Sequence, residues 1–197
     1  MTSHGRGGPA RWLLGSVADG LVRTLRTPVL IVRVDEEATS SPSMPFQKVV
    51  IALDGSVESE TAIARAAAIV RNPDARFTLL YVSPPLHPVL RMLANADELA
   101  RDTAEQQSAA RQYLSEVAER AAPLGTMSTA LAVNLHPAHG IADYAAEQQA
   151  DLIVLSTHGR GPVGRAFLGS VADKVVRTAR IPILLCHEPR PEPFQQT

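Results

Sequence analysis

The stretch DLIVLSTHGRGPVGRAFLGSVADKVVRTARIPILLC, residues 151–186, joins an apolar run, a glycine-rich segment, an amphipathic segment and a second apolar run. This succession predicts a strand, a loop, a helix and another strand. Strands that alternate with helices are typical of a parallel sheet with helices packed on its faces. The stretch therefore predicts an open α/β fold.

Much of this pattern occurs a second time near the start of the chain. SHGRGGPARWLLGSVADGLVRTLRTPVLIVR, residues 3–33, aligns with residues 157–187 at an offset of 154, so that Gly5 matches Gly159. About half of the aligned residues are identical, which indicates an internal duplication. More than 100 residues of alternating strand and helix patterns precede the second copy only. We therefore interpret residues 1–33 as the C-terminal remnant of a first domain, or alternatively as the start of a truncated tandem protein.

The repeat also indicates the domain boundaries. Residues 34–45 are a polar linker, residues 46–188 form one complete domain, and residues 189–197 are a polar tail. Within the complete domain, strands are predicted at 48–53, 76–82, 127–133, 151–156 and 181–186. Helices are predicted at 58–71, 96–122, 138–149 and 170–179. In such sheets, ligands bind beyond the carboxyl ends of the strands.

Composition excludes several classes of protein. Hydrophobic residues make up 45% of the chain and aromatic residues 4%, so the expected core consists mainly of aliphatic side chains. The net charge of -1 lacks the basic excess of a nucleic-acid-binding domain. One cysteine excludes a disulfide framework. No apolar run reaches membrane-spanning length, so we expect a cytoplasmic protein with neither nucleic-acid nor membrane partners.

Two features fall at the predicted carboxyl ends of strands. Asp54 follows the strand KVVIAL, and the glycine-rich loop follows the strand DLIVLS. Glycines let the loop backbone approach a ligand closely, and Gly169-Ser170 opens a helix whose N-terminal amides suit a phosphate. The loop residues that can add turns, charge or hydrogen-bond donors are His158, Gly159, Arg160, Gly161, Gly164 and Arg165.

Each of these features also has a purely structural interpretation. Ser170 to Asp173 has the spacing of a helix capping box, and Asp54 can close its own turn or cap the next helix. Arg177 and Arg180 suit the last turn of a helix, where they complement the dipole. Cys186 is interpreted as a small buried hydrophobe, and His136 and His158 as loop residues.

Taken together, KVVIALDGS, FTLLYV, ADLIVLSTHGRG and FLGSVADKVVRTARIPILL occur in the order seen in the universal stress protein family, which the chain strongly resembles. The resemblance covers nearly all of residues 46–187, and residues 3–33 match a second family tail. It implies an α/β, Rossmann-like nucleotide-binding fold with a five-stranded parallel sheet of order 3-2-1-4-5. It also implies dimer-like association through the last strand.

The resemblance further implies a binding site for ATP or AMP, with Mg²⁺ arriving on the nucleotide. The family's base, ribose and phosphate contacts fall on Ala52, Leu53, Asp54, Val82, Leu155, Ser156, Gly159, Arg160, Gly169, Ser170 and Val171. Ser156 departs from the family pattern, which has the first loop glycine there, and it either narrows the site or donates a further hydrogen bond. The first copy has Gly5, Gly15 and Ser16 but no aspartate equivalent to Asp54, so we do not expect it to bind nucleotide alone.

These expectations define one main function and two alternatives. The main prediction is an adenine-nucleotide-binding stress-response regulator, with no catalytic residue and no metal-ligand cluster of its own. A nucleotide-free dimerisation or assembly module is the first alternative, and a slow ATP hydrolase is the second. The apolar strand Val29–Val32 is expected to pair with Ile183–Cys186, either within the chain or across a homodimer.

Overall fold

A computed structural model describes residues 20–22, 25, 27–32, 46–85, 96–157 and 168–187. The strands among them are β1 (Val29–Ile31), β2 (Lys48–Leu53), β3 (Arg76–Ser83), β4 (Thr126–Val133), β5 (Leu152–Ser156) and β6 (Ile183–Cys186). The helices are α1 (Val57–Val70), α2 (Ala96–Ala121), α3 (Pro137–Glu147) and α4 (Ser170–Thr178), with a short 3₁₀ turn at Ala122–Leu124. Residues 20–22 are also helical.

The strands form one sheet in the order β1-β6-β5-β2-β3-β4. The neighbouring pairs among β2 to β6 are parallel, and these strands have the predicted relative order. The α/β fold class is therefore confirmed. The predicted count of five strands is wrong, because β1 adds a sixth strand that pairs antiparallel with β6 at the edge of the sheet. β1 comes from the first copy of the repeat, which the predicted count of five strands for residues 46–188 did not include.

Side-chain alternation along the strands divides the core into two layers. One layer packs beneath α3 and α4 and includes Val50, Ile153 and Leu185. The other packs beneath α1 and α2 and includes Ile51, Val154 and Leu184. Both faces of the central strands are therefore buried, as expected for parallel strands with helices on each side.

The helix that follows β2 begins and ends at local backbone signals. The Ser56 side chain accepts a hydrogen bond from the Ser59 amide, and Glu58 and Glu60 lie in the first turn, where the helix dipole favours negative charge. Arg71 ends the helix in the left-handed region, with φ of 45°. The cap at Ser56 makes α1 begin one residue before the predicted start.

β1 and the helical residues before it pack on the rest of the sheet and its helices. Val29 and Ile31 lie in the layer beneath α3 and α4, together with Val22, which is 1% exposed. Leu30 packs against the opposite layer. The expected pairing of Val29–Val32 with the last strand is thus confirmed, and of the two forms left open it occurs within the chain.

None of the helices among the described residues is both long enough and apolar enough to span a bilayer.

The single cysteine provides a probe of this core. Cys186 is 1% exposed, and burial raises the pKa of its thiol to about 11, although the nearby Arg65 opposes this shift. The thiolate is the reactive form, so we expect the folded chain to react very slowly with a thiol reagent at pH 8. Labelling should become faster as the pH rises toward 11. The chain unfolded in urea is the control and should label rapidly at pH 8; equally rapid labelling of the folded chain would contradict the burial of Cys186.

Candidate functional site

The predicted site residues on strands meet at the carboxyl end of the sheet. Ala52 on β2 lies between Leu80 of β3 and Leu155 of β5. Ala52 and Val82 are partly buried and pack on the layer beneath α3 and α4. The Leu53 side chain is buried in the opposite layer, beneath α1 and α2. The Leu53 side chain therefore belongs to the core, and only the Leu53 backbone is available at the carboxyl end of β2.

The turn after β2 holds the Asp54 carboxylate in place. Asp54 Oδ1 accepts hydrogen bonds from the Ser56 amide at 3.0 Å and from the Ser56 hydroxyl. Gly55 has φ of 83°, a conformation that favours glycine. Of the structural roles suggested for Asp54, closing the turn is confirmed, whereas the cap of α1 is Ser56. The carboxylate is only partly buried.

Buried polar groups support this turn from below. Ser59 is 3% exposed; its hydroxyl donates to the Ser56 carbonyl at 2.8 Å and accepts from the Asp54 amide at 3.4 Å. Tyr113 of α2 lies close by, and burial, followed by the Glu60 and Asp54 charges, raises the pKa of its phenol to about 12. Tyr113 is therefore neutral at physiological pH. Neither residue was predicted for the site: Ser59 bonds locally to Ser56 and Asp54, and Tyr113 comes near the turn only when α2 packs beside α1.

Thr157 joins β5, β6 and the start of α4 through its backbone. The Thr157 amide donates to the Cys186 carbonyl at 2.9 Å, and the Thr157 carbonyl accepts from the Gly169 amide at 2.8 Å. A Cβ at Gly169 would lie only 3.0 Å from the Thr157 oxygen, so this approach favours glycine. Residues 158–167, including the predicted site residues Gly159 and Arg160, lie outside the described part of the chain.

Within the described part of the chain, no side chain makes a capping hydrogen bond at the start of α4, where Gly169 is the N-cap residue. The capping-box interpretation of Ser170 is therefore wrong, because Ser170 is the first helical residue rather than the cap. Asp173 accepts hydrogen bonds from Arg177 at 2.8 and 3.0 Å instead of bonding back to the helix start. Arg177 lies in the last turn of α4 as predicted, whereas Arg180 follows the end of the helix.

This helix start is suited to an anion. The first hydrogen bond within the helix runs from the Asp173 amide to the Gly169 carbonyl. The amides of Ser170, Val171 and Ala172 therefore have no acceptor within α4. Ser170 and Val171 are exposed, whereas Ala172 anchors the helix in the core. Amides at this end of a helix, together with the positive end of the helix dipole, favour a phosphate or carboxylate group.

The register of the sheet places this helix start near Asp54. β2 and β5 are adjacent and parallel, with Ala52 opposite Leu155. Asp54 and Thr157 each follow this pair by two residues, so both lie just beyond the carboxyl ends of the two strands. Since Thr157 bonds to Gly169, the Asp54 carboxylate and the N-terminus of α4 lie at the same end of the same two strands. Ser156 is the last residue of β5 and pairs with Cys186 of the neighbouring strand β6.

A close contact between α3 and β3 supports Val82. A Cβ at Gly140 of α3 would lie 2.8 Å from Val82 Cγ1 and 2.9 Å from the Cβ of Asn134. Gly140 thus lets the helix approach the end of β3, and Val82 packs beneath it. No sequence pattern singled out Gly140, because its contact joins residues that are far apart in the chain.

Across the described ranges, no group of three or more histidine, cysteine, aspartate or glutamate side chains is arranged to hold a metal ion.

The fold and this site define a doubly wound α/β protein with a helix N-terminus and a carboxylate at the carboxyl ends of adjacent central strands. The family model of the universal stress protein family matches residues 1–33 and 45–187. The chain belongs to the universal stress protein family.

Curated relatives agree with this assignment. A universal stress protein from Methanocaldococcus jannaschii is 30% identical over 148 residues, which cover 75% of this chain and 85% of that protein. One from Mycobacterium tuberculosis H37Rv is 28% identical over 192 residues, which cover 95% of this chain and 61% of that protein. The chain thus spans about three fifths of the length of the mycobacterial relative.

Solved structures show the same fold. A universal stress protein from Lactobacillus plantarum is 28% identical with a TM-score of 0.55, over 72% of this chain and 97% of that one. A universal stress protein in complex with cAMP is 24% identical with a TM-score of 0.54, also over 72% of this chain and 97% of that one.

The contact between Gly169 and Thr157 can be tested by adding one methyl group. We expect Gly169→Ala to lower the free energy of unfolding by about 1–3 kcal/mol, because the new Cβ pushes the start of α4 away from β5. Gly20→Ala is the matched control, since a Cβ there would meet nothing within 4 Å. Urea unfolding measures both variants. Equal stability of Gly169→Ala and the parent would contradict the close approach.

Proposed function

We propose that this chain binds an adenine nucleotide, ATP or AMP, at the carboxyl end of β2 and β5, and that it acts as a cytoplasmic stress-response regulator. The observation that carries the proposal is the start of α4, where Gly169 provides no side-chain cap and bonds to Thr157 at the strand end that Asp54 follows. A phosphate at the helix amides and a sugar or base near the carboxylate fit the chemistry of these groups.

The residues present fit the parts of such a nucleotide. The amides of Ser170, Val171 and Ala172 suit a phosphate, and the Ser170 hydroxyl can donate to the same group. The Asp54 carboxylate is suited to accept hydrogen bonds from ribose hydroxyls. Ala52 and Val82, both partly buried, offer apolar surface for a base. Magnesium is proposed to come with the phosphates, where it would neutralise their charge.

The family supports this proposal. A universal stress protein with the same fold has been solved in complex with cAMP, which is an adenine nucleotide. Leu155 and Ser156 are proposed to contact the ligand at the end of β5, and Gly159 and Arg160 to contact the phosphates from the loop that follows. The proposed role is regulatory: the bound nucleotide would change the shape of the chain or its affinity for a partner.

We also propose that residues 1–33 correspond to the closing part of a stress protein domain and residues 46–188 to a complete one. The family model matches both regions, and the repeat aligns them at the same offset throughout. Since the carboxylate turn precedes only the second copy, the proposal places one nucleotide site in the chain.

A nucleotide-free assembly module is the second candidate. The observation that favours it is the pairing of β1 with β6, in which residues from the first copy are used to complete the sheet. In that case Ser156 would occupy space that a nucleotide needs. The two candidates differ in whether the folded chain binds MgATP or AMP at all.

Calorimetric titration with MgATP, and with AMP for comparison, tests the main proposal. We expect saturable binding near one nucleotide per chain. Asp54→Asn should weaken binding about tenfold, because an amide is a poorer acceptor than a carboxylate for two hydroxyl donors. Asp74→Asn is the matched control, since Asp74 lies in the turn before β3, at the opposite end of the sheet.

A second variant tests the phosphate end of the site. Ser170→Ala removes one hydroxyl from an exposed position and should weaken MgATP more than adenosine, with little change in stability. Gly169→Val is less informative because it also disturbs the contact with Thr157. If a folded parent chain binds neither nucleotide, the assembly-module interpretation replaces the main proposal.

A further inference from the structure

The Tyr113 hydroxyl on α2 is a buried polar group without a hydrogen bond. Its oxygen is shielded from solvent, and among the described residues it has no hydrogen-bond partner. Such a hydroxyl is costly, because folding has removed its bonds to water and replaced them with none in the protein. Groups of this kind are uncommon in folded proteins, and each needs a physical explanation.

The sheet places the Tyr113 ring beside the strand end that Asp54 follows. Tyr81 of β3 is the register partner of Leu53, the residue directly before Asp54. The Tyr81 and Tyr113 rings meet edge to face, with their centroids 6.3 Å apart and their planes at 71°. Both rings pack on the layer beneath α1 and α2. Tyr113 therefore approaches the Asp54 turn from the side of the sheet that α1 and α2 cover.

An ion pair between the two helices fixes α2 at this position. Glu60, in the first turn of α1, accepts a hydrogen bond from Arg120 of α2 at 2.6 Å. Tyr113 and Arg120 are about two helical turns apart, so they lie on the same face of α2. Burial and then the charges of Glu60 and Asp54 raise the pKa of the Tyr113 phenol. The hydroxyl therefore keeps its proton and can act as a donor.

Ser59 has an acceptor site for this proton. Its hydroxyl donates to the Ser56 carbonyl at 2.8 Å and accepts from the Asp54 amide at the long distance of 3.4 Å. A hydroxyl oxygen can accept two hydrogen bonds, so one lone pair of Ser59 remains for Tyr113. Ser59 lies close enough to the phenol to affect its pKa. A small movement of the turn or of the ring is therefore enough to form the bond.

We propose that Tyr113 is a positioning residue of the nucleotide site, and that its hydroxyl donates to Ser59 when the ribose hydroxyls of a nucleotide bind Asp54. This inference rests on the nucleotide site proposed above. In the free chain the Ser56 amide and hydroxyl hold the Asp54 carboxylate. Ribose hydroxyls that donate to the same carboxylate change the bonds of the turn. The bond from Tyr113 to Ser59 then holds the turn in its ligand-bound position.

This arrangement gives Tyr113 a different effect in each state of the chain. The free chain carries the cost of an unpartnered hydroxyl, whereas the nucleotide-bound chain does not. A group that is satisfied in only one of two states shifts the equilibrium toward that state. Tyr113 therefore favours the bound form of the Asp54 turn and does not stabilise the free chain through its hydroxyl.

Tyr113→Phe tests the proposal, because it removes only the hydroxyl. We expect calorimetry to show AMP binding weakened about fivefold, the loss expected for one hydrogen bond. The urea midpoint of the free chain should stay equal or rise, because the hydroxyl has no partner there. Tyr144→Phe is the matched control: it makes the same change in the opposite layer and should leave AMP affinity unchanged.

Two further measurements connect the effect to Asp54. With 2′,3′-dideoxyadenosine monophosphate, the parent and Tyr113→Phe should bind equally, since this ligand has no ribose hydroxyl to donate to the carboxylate. In a Ser59→Ala chain, adding Tyr113→Phe should cause no further loss of AMP affinity, because the acceptor is already absent. Residues that act through one shared contact give such non-additive effects.

The outcomes separate this inference from the proposed nucleotide site. A folded parent chain that binds no adenine nucleotide overturns both. If the parent binds AMP and Tyr113→Phe binds it equally well, only the role of Tyr113 is wrong. A lower urea midpoint for Tyr113→Phe also rejects that role, because the hydroxyl would then be bonded in the free chain. Equal weakening of AMP and of the dideoxy ligand rejects it as well, since the effect would not pass through Asp54.

Discussion

The backbone of Thr157 carries the interaction on which the site depends. Its amide bonds to Cys186 of β6, and its carbonyl accepts from Gly169 at the start of α4. Thr157 is 2% exposed, so water does not compete effectively for these groups. One residue thereby sets the position of α4 relative to the ends of β5 and β6. This position favours glycine at residue 169, because a Cβ there would lie only 3.0 Å from the Thr157 carbonyl oxygen.

The Asp54 turn shows how a structural role and a binding role can be combined in one residue. Its carboxylate orders the turn through Ser56, and Ser56 in turn caps α1. A carboxylate held by short-range hydrogen bonds has less freedom to lose when a ligand binds. The structural interpretation of Asp54 is thus no argument against the proposed ligand contact. Ser59, buried beneath the turn, makes both roles depend on the packing of α1.

β6 connects the proposed site to β1 at the edge of the sheet. On one side it pairs with β5, and its last residue bonds to Thr157 beside the start of α4. On the other side it pairs with β1, and His187 then reaches the Val22 carbonyl. The strand is only four residues long and fully buried. β5 and β1 cover its two edges, so without β1 the sheet would expose an apolar edge.

The resemblance to the universal stress protein family implied the relative order of the five parallel strands. The sequence by itself determined the fold class and the position of Asp54 and Gly169 at the carboxyl ends of strands. These follow from local patterns, since apolar runs, alanine-rich helices and glycine-rich turns are set by neighbouring residues. The ends of the elements moved by one or two residues, as with α1, which Ser56 caps. Such differences are small because a cap depends on only a few residues.

Only the tertiary structure decided the features that join distant residues. Spacing alone suggested that Ser170 caps α4, but the bond from Gly169 to Thr157, twelve residues earlier, makes Gly169 the cap. The repeat left open whether β1 pairs within the chain or across a dimer, and packing of Val22 and β1 on the same chain decided it. Gly140 and Tyr113 gave no sequence signal. The physical reason is common to all of these features: their contacts exist only after separate helices and strands have packed together.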